Sequence, residues 1–297
     1  MGLRINPDLY QTVLLGIEQL QQQENNDLEQ MSSGKAFNNL SDDPVAVSQL
    51  VLNEAQTSNV DQYLQNVTTL QNSLQVADST LNSVVTALSQ AISLGVEGAN
   101  GTLNDSDRQS IATQISGIKD QILALANTTY DGNYLFAGTA VTTQPFTEDS
   151  NSPSGVTYNG NGSTNSVQIG DGEYIPENLS GSQVLTPSGS DVFAALQGLI
   201  TALQSGGDVS AATTQLQQVY SRFNTQITFY GTTLSRLQTT QDYLNQEKLG
   251  LTAAQNNIEG ADMSSVVSNY VQAETALDAS YQAAGRLSQM SLLDYLK

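Results

Sequence analysis

VDQYLQNVTTLQNSLQVADSTLNSVVTALSQA, residues 60–91, sets Val60, Tyr63, Val67, Leu70, Leu74, Ala77, Leu81, Val84, Leu88 and Ala91 at alternating steps of three and four. That is the period of an α-helix burying one stripe. Neither Gly nor Pro interrupts residues 45–94, so the pattern predicts one helix over 44–95. At 1.5 Å per residue it would reach roughly 75 Å, which implies a rod.

Working outward, a loop at 98–104 precedes a second ladder, Ile111, Ile115, Ile118, Ile122 and Leu125. A third runs through Leu216, Val219, Phe223, Ile227, Tyr230, Leu234, Leu237, Leu244, Leu251 and Ile258, broken only at Gln241 and Lys248. Complementary stripes on three helices predict an elongated bundle. The two ends repeat the rhythm. Residues 7–31 carry Leu9, Val13, Ile17 and Leu20; residues 262–294 carry Met263, Val266, Tyr270, Ala273, Leu277, Ala284 and Leu287. These are seams of helices that pack side by side as a coiled coil, and a chain whose unpartnered stripes are its first and last segments is suited to assembly.

Between the ladders, residues 138–189 hold four of the six prolines and eight of the 23 glycines. Tyr134-Leu135-Phe136, Val156-Thr157-Tyr158 and Ser166-Val167-Gln168-Ile169 read as strands, with turn signals at Asn159-Gly160 and Asp171-Gly172. A short helix over 191–203 leads back to the bundle. The expected fold is mainly α with a β-rich insertion, in three parts: a terminal helical assembly domain (1–40 with 261–297), a long helical bundle (41–137 with 190–260) and a separable β-rich outer domain (138–189).

Composition removes several function classes. Lys and Arg number 9 against 29 Asp and Glu, a formal charge of -20, and no basic residue lies between Lys119 and Arg222. Phosphate-rich partners, nucleic acid and anionic membranes alike, are thereby disfavoured. With no Cys and no His, disulfides, thiolate metal sites and the Ser-His-Asp and Cys-His catalytic sets are unavailable. A cofactor or metal is not expected. The first seven residues lack the apolar core of a cleaved leader, and no run approaches the roughly 18 apolar residues of a membrane span.

The sharpest local signal is Met31-Ser32-Ser33-Gly34-Lys35-Ala36-Phe37-Asn38-Asn39-Leu40-Ser41-Asp42-Asp43-Pro44. Gly34 reads as a helix stop and Asp43 as an N-cap before Pro44 in the first helical turn, with Asp42 near the positive end of the helix dipole. Asn104-Asp105-Ser106-Asp107 likewise reads as a cap, since Ser110 and Ser116 stand where a calcium loop needs Gly and Glu.

With those residues in view, the chain resembles the flagellin superfamily, and within it the proteins of the hook-filament junction. The likeness runs from Leu3-Arg4-Ile5 through Ser32-Ser33-Gly34-Lys35, Ser41-Asp42-Asp43-Pro44-Val45-Ala46 and Tyr134-Leu135-Phe136-Ala137-Gly138. It closes on Ile258-Glu259-Gly260-Ala261-Asp262 and Ser291-Leu292-Leu293-Asp294-Tyr295-Leu296. Flagellin proper shares the Ser-Ser-Gly turn and the Asp pair but continues with Ala-Ala-Gly where this chain has Pro44-Val45-Ala46. The chain departs from the junction pattern at Ala36, usually arginine, and at Leu40, often proline.

The resemblance implies a structural role outside the cell, on the flagellum, after type III export without a cleaved signal peptide. It implies terminal helices lining an inner tube, with Leu9, Val13, Ile17, Leu20, Val266, Tyr270, Leu277, Tyr281 and Leu287 in the assembly interface. The implied partners are hook-associated protein 1, flagellin, further copies of the chain in a ring, and an export chaperone. Other readings are a filament subunit, an adhesin using the β-rich part, or a hydrolase using Glu148, Asp149, Asp171 and Glu173; the purely structural reading needs no catalytic residue.

Overall fold

The computed structural model describes residues 7–39, 41–177 and 180–295, with side chains over 11–39, 41–177 and 180–286. Its helices are α1 (Pro7–Ser33), α2 (Pro44–Gly98), α3 (Asp105–Ala126), α4 (Gly181–Val184), α5 (Val192–Ser205), α6 (Val209–Glu259) and α7 (Met263–Tyr295). Six short strands stand between α3 and α4: β1 (Thr129–Tyr130), β2 (Asn133–Tyr134), β3 (Phe146–Glu148), β4 (Val156–Tyr158), β5 (Ser166–Gly170) and β6 (Glu173–Pro176). The fold is mainly α with a small strand insertion. The chain divides into two compact units, residues 1–59 with 248–297 and residues 60–247, so both divisions fall inside the long helices α2 and α6.

In the second unit the ladders do as their period demands. Val67, Leu70, Leu74, Leu81, Val84 and Leu88 of α2 are buried, as are Ile111, Ile115, Ile118 and Ile122 of α3 and Leu216, Val219, Phe223, Tyr230, Leu237 and Leu244 of α6. Tyr63 is only half-buried, because its hydroxyl turns outward to accept the Gln168 amide at 3.2 Å. Where α2 ends, glycine is needed for space: a Cβ on Gly95 would lie 2.7 Å from Thr213 Oγ1, and one on Gly98 2.5 Å from Leu203 Cδ2. The Asn104 side chain accepts the Asp107 N–H at 2.8 Å, which makes Asn104-Asp107 a cap. Asp191 caps α5 in the same way, accepting from Phe193 and Ala194.

The insertion departs from the sequence reading in its pairing. Its strands form three separate two-stranded hairpins, β1 with β2, β3 with β4 and β5 with β6. Asp171-Gly172 is the β5–β6 turn, with Gly172 at φ +69°. Asn159-Gly160 is not a hairpin turn. β4 pairs back onto β3, and the Asn159 N–H continues that ladder to the Pro145 carbonyl at 2.7 Å. Gly160 serves close approach instead: a Cβ there would lie 2.5 Å from the Tyr158 hydroxyl and 2.7 Å from the Ala137 carbonyl. Of Tyr134-Leu135-Phe136 only Tyr134 is strand; Leu135 and Phe136 turn inward and are buried.

The insertion also shares a core with the helices. Phe146, fully buried, packs in tilted geometry against Tyr158, with ring centroids 4.9 Å apart, and Phe193 of α5, at 5.6 Å. The Asn127 side chain pairs with both backbone groups of Phe146, accepting at 3.0 Å and donating at 2.9 Å, as a strand would. Asn66 of α2 donates to the Gln168 carbonyl at 2.8 Å, and Arg236 of α6 pairs with Glu173. These ties join the insertion to α2, the end of α3, α5 and α6 within one compact unit.

Candidate functional site

In the first unit, α1 and α7 pack against each other along the predicted seam. Ile17, Val266 and Ala273 are buried, while Val13, Leu20, Tyr270 and Leu277 are half-buried. Tyr281 stands at the edge, exposed, its hydroxyl accepting from Gln21 Nε2 at 2.6 Å. The side chains of Leu9 and Leu287 lie outside the described residues.

The turn that joins this pair follows from the Ser-Ser-Gly motif. Gly34 adopts φ +71° and its N–H returns to the Gln30 carbonyl at 2.8 Å, the left-handed helix stop that only glycine makes without strain. The Gly34 carbonyl then accepts the Ala261 N–H at 3.0 Å, and the Ala36 N–H donates to Glu259 O at 2.7 Å. Lys35 and Glu259 close the strap with an ion pair at 3.0 Å. Ala36, where the junction pattern has arginine, donates its N–H to Glu259 O and accepts the Gln30 side-chain amide on its carbonyl at 2.9 Å; Leu40 is outside the described residues. Asp43 caps α2, accepting from the Val45 and Ala46 N–H groups at 3.0 Å, with Pro44 opening the helix. Asp42 faces the preceding turn instead, accepting from Asn39 N at 3.0 Å.

Two features of this unit escaped the sequence reading. The first is its exposed apolar area: of the fifteen large hydrophobic side chains exposed among the described residues, eleven fall in this unit. Met263, assigned to the seam by its spacing, instead joins Val267 and Val271 in an exposed row on α7, and Leu14, Leu15 and Leu28 are exposed on α1. The second is Asp27, 7% exposed in the seam, with no hydrogen-bond partner for Oδ2 among the described residues. Burial pushes its carboxyl above the ordinary range. Desolvation, with help from Glu274 and Glu24, also raises Tyr270. Extending the three-and-four count beyond Leu20 reaches Glu24 and Asp27 and would have marked the second.

Of the carboxylates weighed for hydrolysis, Asp149 and Glu173 hold structural contacts. Asp149 accepts from the Asn151 N–H and the Thr157 hydroxyl, both at 2.9 Å, and these bonds hold it below the usual carboxylate range. Glu173 is paired with Arg236, and Asp171 sits in an exposed turn. Glu148 and Asp149 line a cleft of ≈ 540 Å³ with Lys119, whose ammonium donates to Gln197 Oε1 at 2.7 Å and is lowered by burial. Among the described residues no group of three or more acidic, His or Cys side chains could hold a metal ion, and no helix is long and apolar enough to cross a membrane.

The paired terminal helices and the regions they frame define a flagellin-type chain: residues 8–141 match the bacterial flagellin N-terminal helical region and residues 207–296 the C-terminal helical region. Similarity is greater within one branch. The chain is 34% identical over 312 residues to flagellar hook-associated protein 3 of Escherichia coli, covering 97% of this chain and 98% of the relative. It is 35% identical over 287 residues to the protein of the same name in Salmonella typhimurium, covering 89% and 90%. The crystal structure of Bacillus cereus FlgL superposes with a TM-score of 0.59 at 25% identity, covering 69% of this chain and 99% of that one. The chain belongs to the hook-associated protein 3 family of the flagellin superfamily.

Proposed function

We propose that the chain is a structural junction protein of the bacterial flagellum, joining the hook-side adaptor, hook-associated protein 1, to the flagellin filament. The observation that carries this reading is the exposed apolar surface of the first unit, in a chain similar over nearly its full length to hook-associated protein 3. Leu9, Val13, Ile17, Leu20, Val266, Tyr270, Leu277, Tyr281 and Leu287 belong to the assembly region, the half-buried members gaining cover when copies stack laterally. A ring of identical subunits repeats one heterologous contact until it closes, so a modest apolar row is used many times over. The terminal helices with 1–40 and 261–297 form the inner assembly part, the helices of 41–137 and 190–260 the surrounding bundle, and 138–189 faces outward. The work is mechanical, without catalysis, on the external flagellum. An export chaperone binds near the C-terminal helix before assembly.

Gold-labelled antibody against the insertion, applied to isolated flagella, tests the proposal. Label confined to the boundary of hook and filament supports it. Label along the whole filament would make the chain a filament subunit, and label on the cell body an adhesin.

A further inference from the structure

Asp27 occupies a position where the α1–α7 seam asks for an apolar residue. Ile17 on its own helix and Val266 and Ala273 on the facing one are buried, and Asp27 is covered to the same degree. Its Oδ2 has no water-accessible surface and no donor among the described residues. Among the described residues no charged neighbour compensates: desolvation alone moves the Asp27 carboxyl, the acidic Glu24 and Glu274 act on Tyr270, and Lys35 at the strap is engaged by Glu259. An ionised carboxylate so placed opposes closure of the seam, whereas the neutral acid loses most of that penalty and brings a donor of its own.

We propose that Asp27 makes the pairing of the two terminal helices proton-dependent, the seam closing firmly when its carboxyl is protonated and remaining easily opened when it is ionised. The sign follows from burial. The paired state holds the proton more tightly than the open helices do, so its carboxyl lies above 3.8, the ordinary value. The penalty is complete above that raised value and is relieved as pH falls through it. On the assembly reading, on which this consequence rests, the free subunit at neutral pH keeps its ends exchangeable until neighbouring helices add packing.

Hydrogen exchange on the full chain, at a dilution that keeps it monomeric, is the test, expressed as protection factors for residues 263–286 at pH 4.5 and pH 8. Wild type is expected to be several-fold better protected at the lower pH, the sign that a carboxyl raised by burial requires. Asp27→Leu and Asp27→Asn should both remove the step, with Asp27→Leu as protected at pH 8 as wild type at pH 4.5. Glu24→Gln should keep it. A step that survives both Asp27 variants, or vanishes in Glu24→Gln, overturns the proposal. So does a wild type with no step, and none of these outcomes bears on whether the chain is a junction protein.

Discussion

Val266 and Val267 are adjacent in sequence and lie about 100° apart around α7; Val266 is 6% exposed in the seam and Val267 42% exposed on the outer row. Their replacement by aspartate therefore separates folding from assembly. At Val266 the change forfeits roughly 1.5–3 kcal/mol of apolar burial and adds the cost of a carboxylate in a seam already lacking cations, several kcal/mol unless it takes up a proton. The α1–α7 pair should open, with protection across residues 263–286 falling at least about a hundredfold. At Val267 the side chain meets water in the isolated chain, and the change should stay within about 0.5 kcal/mol. In a ring the same charge would recur at every contact between copies of a chain that already carries -20. Val267→Asp is thus expected to leave exchange in the free chain unaltered and to abolish filaments in cells. If it lowers protection as much as Val266→Asp, the outer row is part of the subunit's own core; if cells keep normal filaments, the row is not an interface.

Phe146→Ala should cost about 3–5 kcal/mol and lower the cooperative melting of the whole unit over residues 60–247, because the ring joins the insertion to α5; loss confined to the β3–β4 hairpin, seen by residue-resolved exchange, would contradict a shared core. Asp43→Ala should cost about 1 kcal/mol and fray the start of α2, while Asp43→Asn keeps most of the cap; equal melting of all three chains would refute the capping role. The β3–β4 turn should be firm above the ordinary carboxylate range and loosen as pH falls through the depressed pKa of Asp149. Its amide shifts followed by NMR titration should lose that acid transition in Asp149→Asn, and persistence of the transition would assign it elsewhere.

The long helices were legible because a buried stripe forces its period on many successive positions; α2, α3 and α6 bury most of the residues that period selects, while Tyr63, Leu125, Ile227, Leu234, Leu251 and Ile258 are half-buried. Caps were legible for a related reason: Gly34, Asp43 and Asn104 act on groups within four residues of themselves. The insertion was not, since its pairing is decided by distant partners. Asn159-Gly160 carries the local chemistry of a hairpin turn, yet the Tyr158 hydroxyl donates to Phe136 O and Asn161 O at 3.0 and 2.9 Å, and the Asn161 N–H donates to Ala137 O. The bonds to Phe136 and Ala137 tie the segment to residues some twenty positions earlier. Nor does a stripe announce how much of itself the monomer covers. Val266 and Val267 are the same residue type, and only the packing of α1 distinguishes them.

Electron microscopy of cells lacking the gene tests the central claim most directly. A junction protein predicts completed hooks that carry no filament, with flagellin released into the medium and filaments restored by the intact gene. Filaments still attached to hooks in the deletion strain would contradict it.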